Sequence, residues 1–300
     1  MRNLPIVLVT LLAVPTLPAF ADAPAAPPKM GAEKVRDNFW LLTGPGGNIA
    51  FISGPETAFL VDDQIQPMSG ALKAEIAKVT KLPIRFVVNT HWHGDHTGGN
   101  QAMAEGGAVV IAHDNVRKRV SSEQFVAMMN KKVPATPPSA WPIVSFAEGL
   151  TLHLDGDDIE VIHVPPAHTD GDSIVFFHKA DVIHTGDTFV GGYPFVDRST
   201  GGHIDGFLAA ADKVLSLAGP NTKIIPGHGP ISDRAGLKKW IDDVKTIRDR
   251  VAAAIKQKKT LAEIKAAHPT AEFDAAHKGP FITPDILVET IYDSLSPAKK

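Results

Sequence analysis

The sequence predicts an α/β fold, a four-layer αββα sandwich with two pseudo-repeated halves, and two observations carry that prediction. Short apolar runs give way to a helical pattern twice along the 300 residues, and side chains able to bind metal stand just beyond several of those runs. Strands followed by helices, repeated, imply two sheets packed face to face with helices outside.

In the first half, Phe39–Leu42, Asn48–Ile52 and Ala58–Val61 read as strands separated by Gly/Pro turns. Ser69–Val79 follows as a helix, with Leu72, Ile76 and Val79 on one stripe. Ile84–Asn89 is β-branched and aromatic enough for a buried strand. Val109–Ile111 reads as a further strand and Asp114–Met129 as a helix, until Pro134, Pro137 and Pro138 break the pattern. The second half opens with the strands Leu150–Leu154, Ile159–Val164, Ser173–His178 and Val182–His184. A helix over Asp205–Leu217, a short strand Lys223–Ile225 and a long helix from about Asp233 to Gln257 complete it. From Lys258 onward the chain reads as helical and peripheral, interrupted by Pro269, Pro280 and Pro284, with no residue that points to catalysis.

The first residues read as an export signal. Met1-Arg2 supplies a positive start, Leu4 to Leu17 is almost continuously apolar, and Ala19-Phe20-Ala21 fits a small-x-small cleavage pattern. Residues 1–21 are therefore expected to be a signal peptide, 22–33 an extended tether, and 34–300 a single domain with a helical C-terminal extension. The run is short for a membrane span and carries Pro5, Pro15 and Pro18, so no anchor is expected after cleavage. The expected address is the periplasm or the outside of the cell.

Composition narrows the chemistry. A formal net charge of −3, from Lys+Arg 30 against Asp+Glu 33, gives no basic face for a nucleic acid and argues against a nuclease. The chain has no cysteine, so any metal must be held by histidine and carboxylate. His91-Trp92-His93-Gly94-Asp95-His96 places four potential ligands within one short stretch directly after an apolar strand. In near-extended backbone residues two apart point the same way, so His91 and His93 can share one metal. Gly94 permits a turn, after which Asp95 and His96 leave toward a second. Three imidazoles and a carboxylate crowded this closely would waste desolvation without a cation between them, which disfavours a merely polar loop. Three further segments put His168, Asp187 and His228 beside glycine or proline beyond apolar runs. Singly each is weak; with the opening motif they are strong.

These residues resemble the metallo-β-lactamase superfamily, over about Phe39 to Asp233. The resemblance implies two zinc ions, the first held by His91, His93 and His168 and the second by Asp95, His96 and His228, with Asp187 bridging. It implies a hydrolase of a small molecule, in which a hydroxide between the metals attacks an activated carbonyl and Asp95 orients it. The His168-Thr169-Asp170-Gly171-Asp172 run looks like that of the β-lactamases, which points to β-lactam hydrolysis. Two departures temper that. Asp187 stands where the commonest β-lactamases have cysteine, and Val190 where they have the lysine that holds the substrate carboxylate. A modest efficiency is expected, with a lactone or thioester as the alternative substrate. A phosphodiesterase would need clustered cations near the motifs, and a non-catalytic zinc store would not need so complete a ligand set. Three other residues invite a role. Asp62 could accept a ligand imidazole N–H, Tyr193 could donate to a substrate oxyanion or simply plug a loop, and His203 could touch substrate.

Overall fold

The computed structural model describes residues 29–277, 279 and 281–296, so the expected signal peptide and most of the expected tether lie outside the described residues. The end of the tether is corrected. Gly31–Glu33 belong to the first strand, β1 (Gly31–Arg36), which pairs antiparallel with β2 (Phe39–Thr43). β1 is a polar edge strand without a second neighbour, so no apolar run announces it.

β3 (Ile49–Ser53) and β4 (Ala58–Val61) extend the antiparallel meander, and α1 (Ser69–Val79) crosses to β5 (Ile84–Asn89), parallel to β4. The short helices α2 (Gly94–Thr97) and α3 (Asn100–Glu105) lead to β6 (Val109–His113) and α4 (Asp114–Val120). A hairpin of β7 (Gln124–Val126) and β8 (Lys131–Val133) stands off the sheet before β9 (Val144–Phe146) closes its far edge. The second sheet repeats the plan. β10 (Gly149–Leu154), β11 (Asp157–His163), β12 (Ser173–Phe177) and β13 (Val182–His184) form an antiparallel meander, and α5 (Ile204–Leu217) crosses to β14 (Lys223–Ile225), parallel to β13. α6 (Arg234–Lys256), α7 (Leu261–Ala266), α8 (Asp274–His277) and α9 (Pro284–Leu295) follow. The expected pseudo-repeat is thus four antiparallel strands, a helical crossover and a parallel strand, in each half.

Strand alternation assigns the layers. On β4, Phe59 and Val61 face the second sheet, while Ala58 and Leu60 face Leu72 and Ile76 of α1. Phe177 on β12 centres the inter-sheet core, its ring edge-on to Phe39 at 4.9 Å and Phe59 at 5.8 Å. The outer face of the second sheet, through Ile174, Ile183 and Ile224, packs under α5, α6 and α9.

Two expectations are corrected. The helix expected over Asp114–Met129 ends at Val120, because the Gln124 amide donates back to Arg119 O and Ser122 O and turns the chain. Phe125 and Val126, poor helix formers, then join β7. The C-terminal segment is not peripheral either. Leu287, Val288 and Ile291 of α9 are fully buried in the core cluster of α5 and α6.

Candidate metal centre

Each candidate ligand follows a strand. Asp62 leaves β4, His91 follows β5, His168 lies between β11 and β12, Asp187 follows β13 and His228 follows β14. The pairs β4/β5 and β13/β14 are parallel, so the carboxyl ends of each pair open at one edge, where their loops converge.

Three sets of side chains gather donor atoms within 4.8 Å of one another: His91, His93 and His168; His91, His96 and Asp187; and Asp95, His96 and His228. His93 Nδ1 lies 2.8 Å from His168 Nε2, and His96 Nε2 lies 3.4 Å from His228 Nε2. The Asp187 carboxylate reaches both groups, 3.5 Å from His168 Nε2, 3.5 Å from His228 Nε2 and 3.2 Å from His96 Nε2. Asp95 Oδ2 is 3.1 Å from His228 Nε2. All seven residues expected as ligands are brought together, in two groups that meet at Asp187.

The opposite nitrogen of each buried ring is occupied by an oxygen, which fixes the tautomer and turns the other nitrogen inward. Asp62 does this for two ligands. Its Oδ2 accepts from His96 Nδ1 at 2.7 Å and from the Thr90 hydroxyl at 2.8 Å, and that hydroxyl in turn contacts His91 Nδ1 at 3.0 Å. Thr90 N donates to Asp62 Oδ1 at 2.8 Å, and a left-handed backbone at Asp62, φ 64°, aims the carboxylate at both rings. His168 Nδ1 donates to Phe195 O at 2.7 Å, and His93 Nε2 contacts Asp197 Oδ2 at 3.1 Å. Asn48 braces the His228 turn from below, its amide donating to Pro226 O and Gly229 O at 2.8 Å each. His184 stays structural, bonded to Asn48 O and Gly186 N. Gly47 and Gly227 are required by close approach, since a Cβ there would collide with the His96 ring and with Asp187 Oδ1 respectively.

Charge is divided between the groups. Burial, with its neighbouring imidazoles, pushes His91 well below the usual histidine range, and burial lowers His168 to about 4. Burial also opposes the charge on His96, but the Asp187, Asp95 and Asp62 carboxylates outweigh it and raise that ring well above its ordinary value. His228 is raised chiefly by Asp187. Burial would raise Asp187 and Asp95, yet His96 and its fellow imidazoles hold both carboxyls below the usual carboxylate range. Asp197 is likewise held down at about 2, against its burial, by hydrogen bonds from His93, Ser199 and Thr200.

The donor set fits metal ions. His91 Nε2 and Asp187 Oδ1 are buried without a hydrogen-bond partner, and both belong to the inward-facing cluster. Such orphaned atoms are costly in protein alone and are satisfied by a cation between them. Imidazole and carboxylate without thiolate suit zinc and other divalent first-row metals.

A cleft of about 750 Å³ opens above the centre. Asp95, Asp187, His93 and His228 form its polar floor, and Trp92 and Phe195 stand in its wall. Phe195 stacks on the His93 ring at 5.8 Å. Two residues singled out for a possible substrate contact are held elsewhere. The Tyr193 hydroxyl donates to Asp274 Oδ1 at 2.7 Å, so this ring is a buried plug against α8 and not an oxyanion donor. His203 caps α5, accepting from Asp205 N, and bonds Ser294 O, so it does not reach the centre. Several functional residues escaped the sequence reading. Asp197 carries an Asp-x-Ser turn signal, with Ser199 N bonded to its Oδ1, that marks it as a fixed acceptor. Lys131 and Val133 of the hairpin, and Phe281 and Ile282 near α9, also line the cleft, and no local pattern marks them for it.

Fold and site together define a four-layer α/β protein with a candidate His/Asp metal centre. The metallo-beta-lactamase superfamily model matches residues 42–228, and the chain belongs to that superfamily. It is 24% identical to a beta-lactamase-like protein 2 homolog from Caenorhabditis elegans, over 55% of this chain and 48% of the relative. It is 29% identical to a hydroxyacylglutathione hydrolase from a Polaromonas species, over 61% of this chain and 62% of the relative. The match thus spans about half the length of the first of these curated relatives. Among solved structures, the DIM-1 metallo-beta-lactamase superposes with a TM-score of 0.56 at 25% identity, covering 72% of this chain and 96% of that one.

Proposed function

We propose that this chain is a hydrolase that uses two zinc ions to open an activated cyclic amide, a β-lactam, with modest efficiency. The observation that carries the proposal is the meeting of the two ligand groups at Asp187 on the floor of an apolar-walled cleft. Zinc held there supplies Lewis acidity and a water acidified toward neutral pH. The chain's own residues do the rest. Asp95, 3.1 Å from His228 and facing the cleft, would orient a nucleophilic water, whose proton passes in the end to the amide nitrogen released by ring opening. Asp62, Thr90, Phe195 O and Asp197 hold the imidazoles in the tautomer that presents a lone pair inward. Trp92 and Phe195 exclude bulk water from the reacting carbonyl.

A thioester or lactone is the second reading, favoured by the relatives named as hydroxyacylglutathione hydrolases. Against a glutathione thioester stands the cleft wall, where Lys131 is the one Lys or Arg among the described lining residues, too few for a tripeptide with two carboxylates. Steady-state kinetics of zinc-loaded protein on a penicillin and a carbapenem, beside a lactone and a thioester, decide between them. β-Lactam turnover is expected, and turnover of the thioester or lactone alone overturns it.

Export is part of the proposal, supported by the Met1–Ala21 leader pattern. Sequencing the N-terminus of protein recovered from an exporting bacterial host is expected to begin at Asp22. An unprocessed Met1 in the soluble cytosolic fraction would refute it.

A further inference from the structure

We infer that Lys131 is the specificity residue of the cleft, and that the substrate is an amphiphilic carboxylate whose acid group it binds while an apolar arm lies against the hairpin and Phe281. The inference rests on the hydrolase reading for its kinetics, but not for its binding.

The β7–β8 register supports it. Val126 pairs with Lys131, Phe125 with Lys132 and Gln124 with Val133, so Val126, Lys131 and Val133 share one face of the hairpin. All three line the cleft. Lys132, on the other face, is engaged with Glu123 at 2.9 Å, whereas Lys131 makes no side-chain hydrogen bond or ion pair among the described residues. A lysine whose only role is solubility belongs on the outer face. Here a lysine without a partner stands between two valines on the inner face, at the mouth of a cleft whose other walls are apolar. Neither Asp95 nor Asp187 of the floor pairs with Lys131, so among the described residues Lys131 remains available to an incoming anion.

The rest of the cleft supplies the apolar half. Met129, at the hairpin turn, is 48% exposed and Phe281, on the segment before α9, is 49% exposed, and both line the cleft. Phe281 packs edge-on against Phe195 at 5.5 Å, which joins this outer surface to the ring beside His93. Exposed apolar side chains so close to a polar floor fit a ligand that is apolar at one end and anionic at the other. The Ala127 N to Ser199 Oγ hydrogen bond, 3.1 Å, ties the hairpin to the loop that also carries Asp197, so Lys131 is held on a fixed support. Val190 also lines the cleft without offering a charge, and Lys131 takes over, from a different element, the contact with the substrate carboxylate.

The test compares wild type, Lys131→Met, Lys131→Arg and Lys131→Glu, all zinc-loaded. Isothermal titration with phenylacetate and with its neutral amide, phenylacetamide, reads binding without turnover. Lys131→Met is expected to raise the Kd for phenylacetate about five- to tenfold and leave that for the amide unchanged, with Lys131→Arg near wild type and Lys131→Glu weakest. An unchanged phenylacetate Kd in Lys131→Met, or an equal loss for the amide, overturns the inference, the first because the metals alone would then hold the carboxylate. In kinetics on an anionic penicillin and its methyl ester, Lys131→Met is expected to raise KM for the acid at constant kcat. Protein that hydrolyses neither compound would refute the β-lactam reading, while the titration still decides the role of Lys131.

Discussion

Asp62 is a single carboxylate that orients one ligand of each metal group, His96 directly and His91 through the Thr90 hydroxyl. Removing it leaves His96 Nδ1–H and the Thr90 N–H and O–H buried without an acceptor, and frees the Thr90 hydroxyl that fixes His91 to turn. Asp62→Ala is therefore expected to lower zinc affinity about 10–100-fold in both groups, read by competition with a chromogenic chelator. Loss confined to one group would contradict the shared role. His228→Ala should act on one group only, because His228 meets Asp95, Asp187 and His96 but lies outside the His91/His93/His168 set. Elemental analysis is expected to fall from two zinc ions per chain to one, and a fall to none with circular dichroism unchanged would refute the division. Gly47→Ala is a test of close approach. Its new methyl group meets the His96 ring, so zinc affinity should fall while the inter-sheet core, which does not touch this loop, stays intact.

At the scale of elements, the parts of the chain whose structure is decided locally were legible in the sequence. α1, β5, β13 and β14 occupy the expected residues because an apolar stripe or a β-branched run specifies each without reference to distant chain. The ligand segments were legible for a related reason, since each pairs a strand with a Gly/Pro turn and a His or Asp. What was not legible depends on partners, some near and some far along the chain, that no apolar run announces. β1 is polar and defined only by pairing with β2, the hairpin is defined by how Gln124 ends α4, and the cleft wall at Phe281 exists because α9 is packed beneath it. Tyr193 shows the same limit, since its neighbour Asp274 is 81 residues away in sequence. α9 offers a test of this coupling. Leu287 is fully buried, so Leu287→Ala is expected to cost about 2–5 kcal/mol of stability in chemical denaturation. It should also raise KM, because Phe281 and Ile282 lie a few residues before it in the wall of the cleft. A full loss of stability with KM unchanged would separate α9 from the cleft.

For the whole molecule, each half delivers one imidazole of raised and one of lowered proton affinity to the centre, His96 and His91 from the first and His228 and His168 from the second, and that gives the site a directional response to pH. In metal-free protein His96 and His228 are raised by the surrounding carboxylates, Asp187 foremost among them, so near and somewhat below neutral pH both carry protons that zinc must displace. His91 and His168 are lowered by burial, His168 to about 4, so those two rings are already neutral donors at the same pH. The sign follows from which state holds the proton. As pH falls from 8 toward 5, affinity at the Asp95/His96/His228 group should drop by about tenfold per unit for each proton displaced. His91 adds no such proton to displace at the other group, and His168 adds none until pH nears about 4. Zinc titrations across that range are expected to show two ions at pH 8 and one at pH 5, with the His228→Ala protein retaining its single ion throughout. Simultaneous loss of both ions, or earlier loss from the His228→Ala protein, would show that the carboxylates do not set the order of release.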